Sequence, residues 1–247
     1  MATSTSAGVV ADSQIQIDAV VPAHNEAPTV GRVIAAVLES GVFRRVLCVD
    51  DGSSDATAEL ARGAGAEVLS LTPNGGKAEA MLAGVARLDA QARGLGDLPA
   101  GAIAFFDADL TTLTPAHVRL MVEHFDLGFD QVCGLRDYGM LNLLQTLAPV
   151  MTGERIVRRW VVDRVPETCW VGYAIETVIN FVVDDEGGKT CLVPLQGLDF
   201  RLKQAKVGFF RGWLQHLAMA RQMADARASL EASGGASCAI VPRKLGD

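Results

Sequence analysis

The chain has 247 residues, 49% of them hydrophobic, and its 29 acidic against 22 basic side chains give a formal charge of -7. That length and apolar share suit one α/β domain with an ample core. The acidic balance argues against a nucleic-acid or anionic-membrane surface, which would need clustered Lys and Arg. The five cysteines, Cys48, Cys133, Cys169, Cys191 and Cys238, are odd in number and lack Cys-X-X-Cys spacing, so they read as reduced thiols.

Residues 1–14 are rich in Ser, Thr, Ala and Gly and are expected to form a disordered tail, as are residues 231–247, leaving a single domain over 15–230. The amino terminus lacks the basic start and apolar core of a secretory signal, and no apolar run is long enough to cross a bilayer. The expected compartment is the cytoplasm, with no stable membrane insertion.

In chain order, 17–21 reads as a strand, and Pro28 stands at the first turn of a helix that Gly41 stops. A second strand over 46–50 precedes a helix over 55–62, with Ser53 or Ser54 as its cap, and a short strand follows over 68–71. Pro73-Asn74-Gly75-Gly76 is a turn, 77–91 a helix, 103–107 a strand, 115–125 a helix begun by Thr114-Pro115, and 131–135 a strand. This alternation predicts a mainly parallel sheet with helices on both faces and right-handed crossovers. After Tyr138 the rhythm changes: a Leu-rich segment, then Thr152-Gly153-Glu154-Arg155, a helix over 173–183, a strand over 190–195 and a long last helix.

Three apolar runs end in polar turn formers: Val21-Pro22-Ala23-His24-Asn25-Glu26, Val49-Asp50-Asp51-Gly52-Ser53-Ser54-Asp55 and Phe105-Phe106-Asp107-Ala108-Asp109-Leu110. Ligands bind at the carboxyl edge of open α/β sheets, where such runs terminate. Asp107 and Asp109, paired at a strand end, invite Mg²⁺ or Mn²⁺, since hard cations take carboxylate oxygens and complete their shell with substrate phosphates. Lys77 follows Gly75-Gly76 at a helix start, where backbone N–H groups, the helix dipole and an ammonium can face one anion. Asn25 and Glu26 can hydrogen-bond a ribose or base, Pro22 and Ala23 offer close backbone approach, and Asp51 can accept from a base N–H.

Pro-Ala-His-Asn-Glu, Val-Asp-Asp-Gly-Ser-Ser-Asp-Ala-Thr, Gly-Gly-Lys-Ala-Glu-Ala and Phe-Asp-Ala-Asp-Leu, in this order and spacing, resemble the family 2 glycosyltransferases and their retaining relatives of the GT-A fold. The resemblance implies a GT-A-type, mainly parallel sheet flanked by helices, with a Rossmann-like nucleotide-sugar-binding half over 15–136 and an acceptor half over 137–230. It places Pro22, Ala23, Asn25, Glu26 and Asp51 on the nucleoside, Gly76 and Lys77 at the diphosphate, Asp107 at the ribose or metal, Ala108 on the nucleotide sugar, and Asp109 on the metal. His216 would complete the metal site, as a downstream His does in many relatives. Thr152-Gly153-Glu154-Arg155 and Gly172-Tyr173-Ala174-Ile175-Glu176 look like acceptor-side segments of small soluble members, including those resembling glucosyl-3-phosphoglycerate synthases.

The expected activity is metal-dependent transfer of a sugar from a nucleoside diphosphate, UDP preferred over GDP, to a small water-soluble acceptor. Asp109 is the central catalytic group, and Glu154 and Asp163 are the candidates for a base. A homodimer is compatible with the sequence. Two rivals share the motifs: Asp107-Ala108-Asp109-Leu110-Thr111 also fits the nucleophile loop of haloacid-dehalogenase-like phosphatases, and an apolar stripe on the last helix (Phe210, Trp213, Leu214, Leu217) would suit a polyprenyl-phosphate acceptor.

Overall fold

The structure, a computed structural model, describes residues 15–135, 152–170, 172 and 175–199. Both expected tails, the Leu-rich segment before Met151, the last helix and His216 lie outside the described residues.

The strands are β1 (Ile17–Ala23), β2 (Arg45–Asp51), β3 (Glu67–Leu71), β4 (Ala102–Phe105), β5 (Gln131–Leu135), β6 (Arg155–Arg158) and β7 (Thr190–Pro194), and the helices are α1 (Val30–Glu39), α2 (Thr57–Gly63), α3 (Lys77–Gly94), α4 (Pro115–Phe125), α5 (Arg159–Arg164) and α6 (Ile175–Asp185). The strands form one sheet in the order β3-β2-β1-β4-β6-β5-β7. β1 pairs in parallel with β2 and β4, β2 with β3, and β5 with β7. Only β6 runs against its neighbours β4 and β5. The mainly parallel sheet read from the alternation is therefore present, with one reversed strand between β4 and β5.

β1 is buried along its whole length, as a central parallel strand covered on both faces should be. One core layer gathers Val21, Val33, Ile34, Phe106, Met121 and Phe125 beneath α1 and α4. The other gathers Val20, Leu47, Val49, Met81, Leu88, Ile103 and Val161 beneath α3, α5 and α6. α3 lies close on β1 and β2 through Gly84, where an added Cβ would stand 2.6 Å from Val20 Cγ1 and 3.0 Å from Val49 Cγ2.

The structure corrects four local expectations. α1 begins at Val30, and Pro28 sits in the preceding turn, where the amides of Thr29 and Val30 both donate to the Glu26 carbonyl. Neither Ser53 nor Ser54 caps α2; Asp55 Oδ1 accepts from the Thr57 amide at 3.0 Å instead. β4 stops at Phe105, so Asp107 and Asp109 leave from an irregular exit rather than from the strand itself. β6 and α5, which the sequence pattern did not announce, occupy Arg155–Arg164. Four residues between charged neighbours are too few to display a period, and a helix follows them without a turn.

Candidate active site

The carboxyl ends of β1, β2 and β4 lie side by side, since Ala23 registers with Asp50 and Val20 with Phe105. β6 runs backwards, so its amino end reaches this same edge. The register Phe105↔Arg155 and Ala104↔Ile156 carries on to bring the turn at Gly153 beside Asp107. A Cβ at Gly153 would collide with the Asp107 carboxylate, so only glycine permits that approach.

Lys77, the first residue of α3, places its Nζ 2.6 Å from Asp107 Oδ1 and 2.6 Å from Glu176 Oε1. The three side chains are 16%, 20% and 8% exposed, so the cluster opens on solvent while remaining mostly covered. Burial pulls the Lys77 pKa down, but the carboxylates of Asp107 and Glu176 outweigh it and hold the ammonium above the ordinary lysine range. Lys77 is therefore a fixed cation at neutral pH. Glu176, from the first turn of α6, is the participant that sequence reasoning left without a role. Its signal was its place in Gly172-Tyr173-Ala174-Ile175-Glu176, but its partner lies 99 residues earlier in the chain.

The loops after β1 and β2 are locked together. Asn25, with φ 55°, is the one non-glycine residue with positive φ among the described residues, a conformation that Asn tolerates better than most side chains. Its backbone N–H donates to Ser53 Oγ at 2.9 Å, and its Oδ1 accepts from the Ser54 amide at 2.9 Å. The Glu26 amide donates to Thr57 Oγ1 at 2.8 Å. His24, exposed, bonds through Nδ1 to the Asp51 carbonyl at 2.8 Å and through Nε2 to Asn25 Nδ2 at 2.9 Å. The serines that were expected to cap α2 thus serve this junction.

Asp51 is buried and turned toward the glycine turn. Its Oδ1 accepts from the Gly75 amide, and its Oδ2 accepts from the Gly76 amide and from Asn74 Nδ2, each at 2.8 Å. It thereby fixes the turn that launches α3 and Lys77. Gly76 has φ 96°, a left-handed conformation suited to glycine at that launch point. Pro22, Ala23 and Ala108 are buried against this edge.

Glu154 is fully buried instead of lining the crevice, with Thr152 Oγ1 in hydrogen-bonding reach of its carboxylate and Gly134 packed against its Cβ. Asp163 is at the wrong end of the sheet. The amide of Arg159, its partner on α5, donates to the Gly101 carbonyl at the amino end of β4. Among the described residues no thiol is poised as a nucleophile either. Cys48, Cys133 and Cys169 are buried and Cys191 half-buried, all free, and burial, aided by Asp50, pushes the Cys48 thiol up to about 12.

Among the described residues no three His, Cys, Asp or Glu side chains are grouped to hold a metal ion. Asp107 and Asp109, at one strand exit, are the hard oxygen donors that a cation sharing its shell with phosphate oxygens would use, so the residues present fit Mg²⁺ or Mn²⁺ chemically. No described helix is long and apolar enough to cross a membrane.

The fold is shared with glucosyl-3-phosphoglycerate synthase from Mycobacterium tuberculosis, solved with Mn²⁺, UDP and glucosyl-3-phosphoglycerate, at a TM-score of 0.67 and 23% identity over 90% of this chain and 81% of that one. A second solved structure, of a mycobacterial protein, gives a TM-score of 0.65 and 25% identity over 88% of this chain and 75% of that one. Among curated proteins, 4,4'-diaponeurosporenoate glycosyltransferase of Staphylococcus aureus is 29% identical over 113 residues, 44% of this chain and 28% of that protein. The uncharacterized glycosyltransferase YaiP of Escherichia coli is 39% identical over 74 residues, 28% of this chain and 19% of that protein. The matched segments thus span less than a third of those curated relatives. Residues 18–151 match the family described as Glycosyl transferase family 2, a span that holds all three acidic strand ends and the Gly-Gly-Lys helix start. The chain belongs to glycosyl transferase family 2.

Proposed function

We propose that the protein transfers a sugar from a nucleoside diphosphate, preferably UDP, to a hydroxyl or phosphate of a small water-soluble acceptor. The observation that carries this reading is the meeting of Lys77, Asp107 and Glu176 at the carboxyl edge of the sheet, with Lys77 on a helix amino terminus. That terminus offers an anion its N–H dipoles and one permanent ammonium. The synthase that shares the fold, solved with UDP and glucosyl-3-phosphoglycerate, supports the choice of donor and acceptor class. The Staphylococcus relative is named for 4,4'-diaponeurosporenoate, but its match covers 44% of this chain, too little to carry an acceptor across.

In this reading Pro22, Ala23, Asn25, Glu26 and Asp51 form the nucleoside wall, Gly76 and Lys77 receive the diphosphate, and Asp107, Ala108 and Asp109 form the floor beneath it. Asp107 and Asp109 would hold the divalent cation, with His216 proposed as a further ligand. When bound, the cation supplies charge neutralisation at the departing diphosphate. Lys77 adds a positive charge where the leaving group gathers negative charge, an electrostatic contribution that needs no movement of protons. Glu154 is seated in the core and Asp163 lies at the far edge, so neither candidate base faces the crevice, and the product anomer decides between an inverting and a retaining route. Family membership weighs against a phosphatase, because the Asp107–Thr111 loop falls within the matched span.

The test is a panel of UDP- and GDP-sugars with phosphorylated and unphosphorylated small acceptors, with and without EDTA. Nucleotide release is followed, and the product anomer is read by proton NMR. UDP release that depends on an acceptor and on Mg²⁺ or Mn²⁺ is expected. Phosphate-ester hydrolysis without any sugar transfer would overturn the proposal.

A further inference from the structure

Arg155 is the largest fully buried side chain among the described residues. Isolating a guanidinium from water is costly unless its N–H groups are well partnered, and an apolar side chain of similar volume would fill the space more cheaply. What this charge does is visible in its partners. Nε and Nη2 both donate to the Thr152 carbonyl, at 3.1 and 2.7 Å. Nη1 faces the Glu176 carbonyl at 3.3 Å, Asn180 Oδ1 at 3.3 Å and Gln131 Oε1 at 3.4 Å. The oxygens named here are neutral and belong to four residues, which a rigid fork can serve together and a lysine ammonium cannot.

These partners are the backbones that carry the site. The Thr152 carbonyl belongs to the turn whose Gly153 lies against the Asp107 carboxylate. The Glu176 carbonyl belongs to the residue whose side chain holds Lys77. Arg155 itself pairs in register with Phe105 on β4, two residues before Asp107. The geometry points to Arg155 as a positioning residue: a buried clamp that touches no substrate and sets the mutual placement of Asp107, Lys77 and Glu176. It does so by tying the β6 turn to the first turn of α6 at the carboxyl edge of the sheet. The fork holds both backbones at once, so the two site carboxylates move together or not at all.

A purely structural arginine would change stability and leave the Lys77 environment of the folded protein unaltered. The test therefore reads Lys77 directly, by the ¹H–¹⁵N signal of its ammonium, which is observable when the group is salt-bridged and shielded from water exchange. It is assigned by its loss in Lys77→Met. In Arg155→Lys and Arg155→Met the folded protein, checked by its amide spectrum, is expected to lose or broaden this signal. The kinetic arm rests on the proposed transferase: kcat for UDP-sugar turnover should fall about tenfold or more, with donor KM changed less than about threefold, as misplacement of reacting groups without loss of binding contacts predicts. If neither variant folds, Asn180→Ala and Gln131→Ala, each removing one Nη1 contact, are expected to broaden the same signal. A Lys77 signal unchanged in the folded variants, or full rescue by Arg155→Lys, overturns the clamp. Absence of sugar transfer in the wild type with loss of the signal in the variants would overturn the transferase reading and leave the clamp standing.

Discussion

The two edges of the sheet use the same kind of interaction to different ends. At the amino edge Arg44 takes both carboxylate oxygens of buried Asp18, at 2.9 and 2.7 Å, and Arg159 takes both of Asp89 at 2.6 Å while reaching Asp163 on its own helix. These are forked pairs with one geometry each, and they pin helices and loops to strand starts. At the carboxyl edge the cation is a lysine, a point charge shared by carboxylates from two distant segments and next to glycines at 75, 76 and 153. A lysine can exchange partners by rotating three donors, whereas a bidentate arginine gives up both bonds together. Fixed pairs suit the edge that only has to hold, and an exchangeable one suits the edge proposed to receive a phosphate.

The largest effect is expected from Asp109→Asn. If the carboxyl edge holds the cation, turnover should fall by a factor of about a hundred or more, roughly 3 kcal/mol of transition-state stabilisation, in a protein that still folds. Wild-type activity that resists EDTA would remove the basis of this prediction. Gly153→Ala should follow, since its methyl group displaces the Asp107 carboxylate from its present seat. A loss of about tenfold in turnover is expected, with a much smaller effect at Gly63, where an added Cβ meets nothing within 4 Å.

Lys77→Met comes next, with a donor KM raised or a kcat lowered by about tenfold and an acceptor KM that stays put. Its pH dependence has a definite sign. The folded-state pKa of Lys77 is raised above the ordinary value, so its contribution to stability is complete below the unfolded-state pKa and is lost only as pH rises through the folded one. The stability difference between wild type and Lys77→Met should therefore be flat from about pH 6 to 9, where a free lysine is charged as well. A difference that declines across neutrality would mean that the ammonium is not held between two carboxylates.

The carboxyl edge was the more legible of the two for a physical reason. Its strands are buried runs ended by carboxylates and glycines, and Ala23, Asp51 and Asp107 each sit where such a run stops. Local pattern is enough to find them. Glu176 and Arg155 were not legible as site elements, because their roles depend on partners 99 and 21 residues away and on a strand that runs backwards. Asp51 shows the complementary limit: the sequence placed it correctly at a strand end, but its bonds to Gly75 and Gly76 depend on how the next crossover returns. Glu154 and Asp163 both read as carboxylates after the parallel half, and only the direction of β6 separates them, sending one into the core and the other to the far edge.

The smallest effect tests that separation from the amino edge. Asp163 is about half exposed and pairs with Arg159 one helical turn away, 2.6 Å from its Nε, while Arg159 keeps both bonds to Asp89. Exposed pairs of this spacing contribute about 0.3–0.5 kcal/mol, so Asp163→Ala should lower stability by that little in denaturant titration. Turnover should stay within about twofold of wild type, because no base acts from the opposite edge of the sheet. Breaking the heavier bond with Asp89→Ala should cost more in stability and again spare turnover, since it strands the Arg159 fork at the amino edge without touching Asp107 or Asp109. A marked fall in kcat for Asp163→Ala at unchanged stability would return Asp163 to the role of base and would mean that the two edges do not divide holding from chemistry.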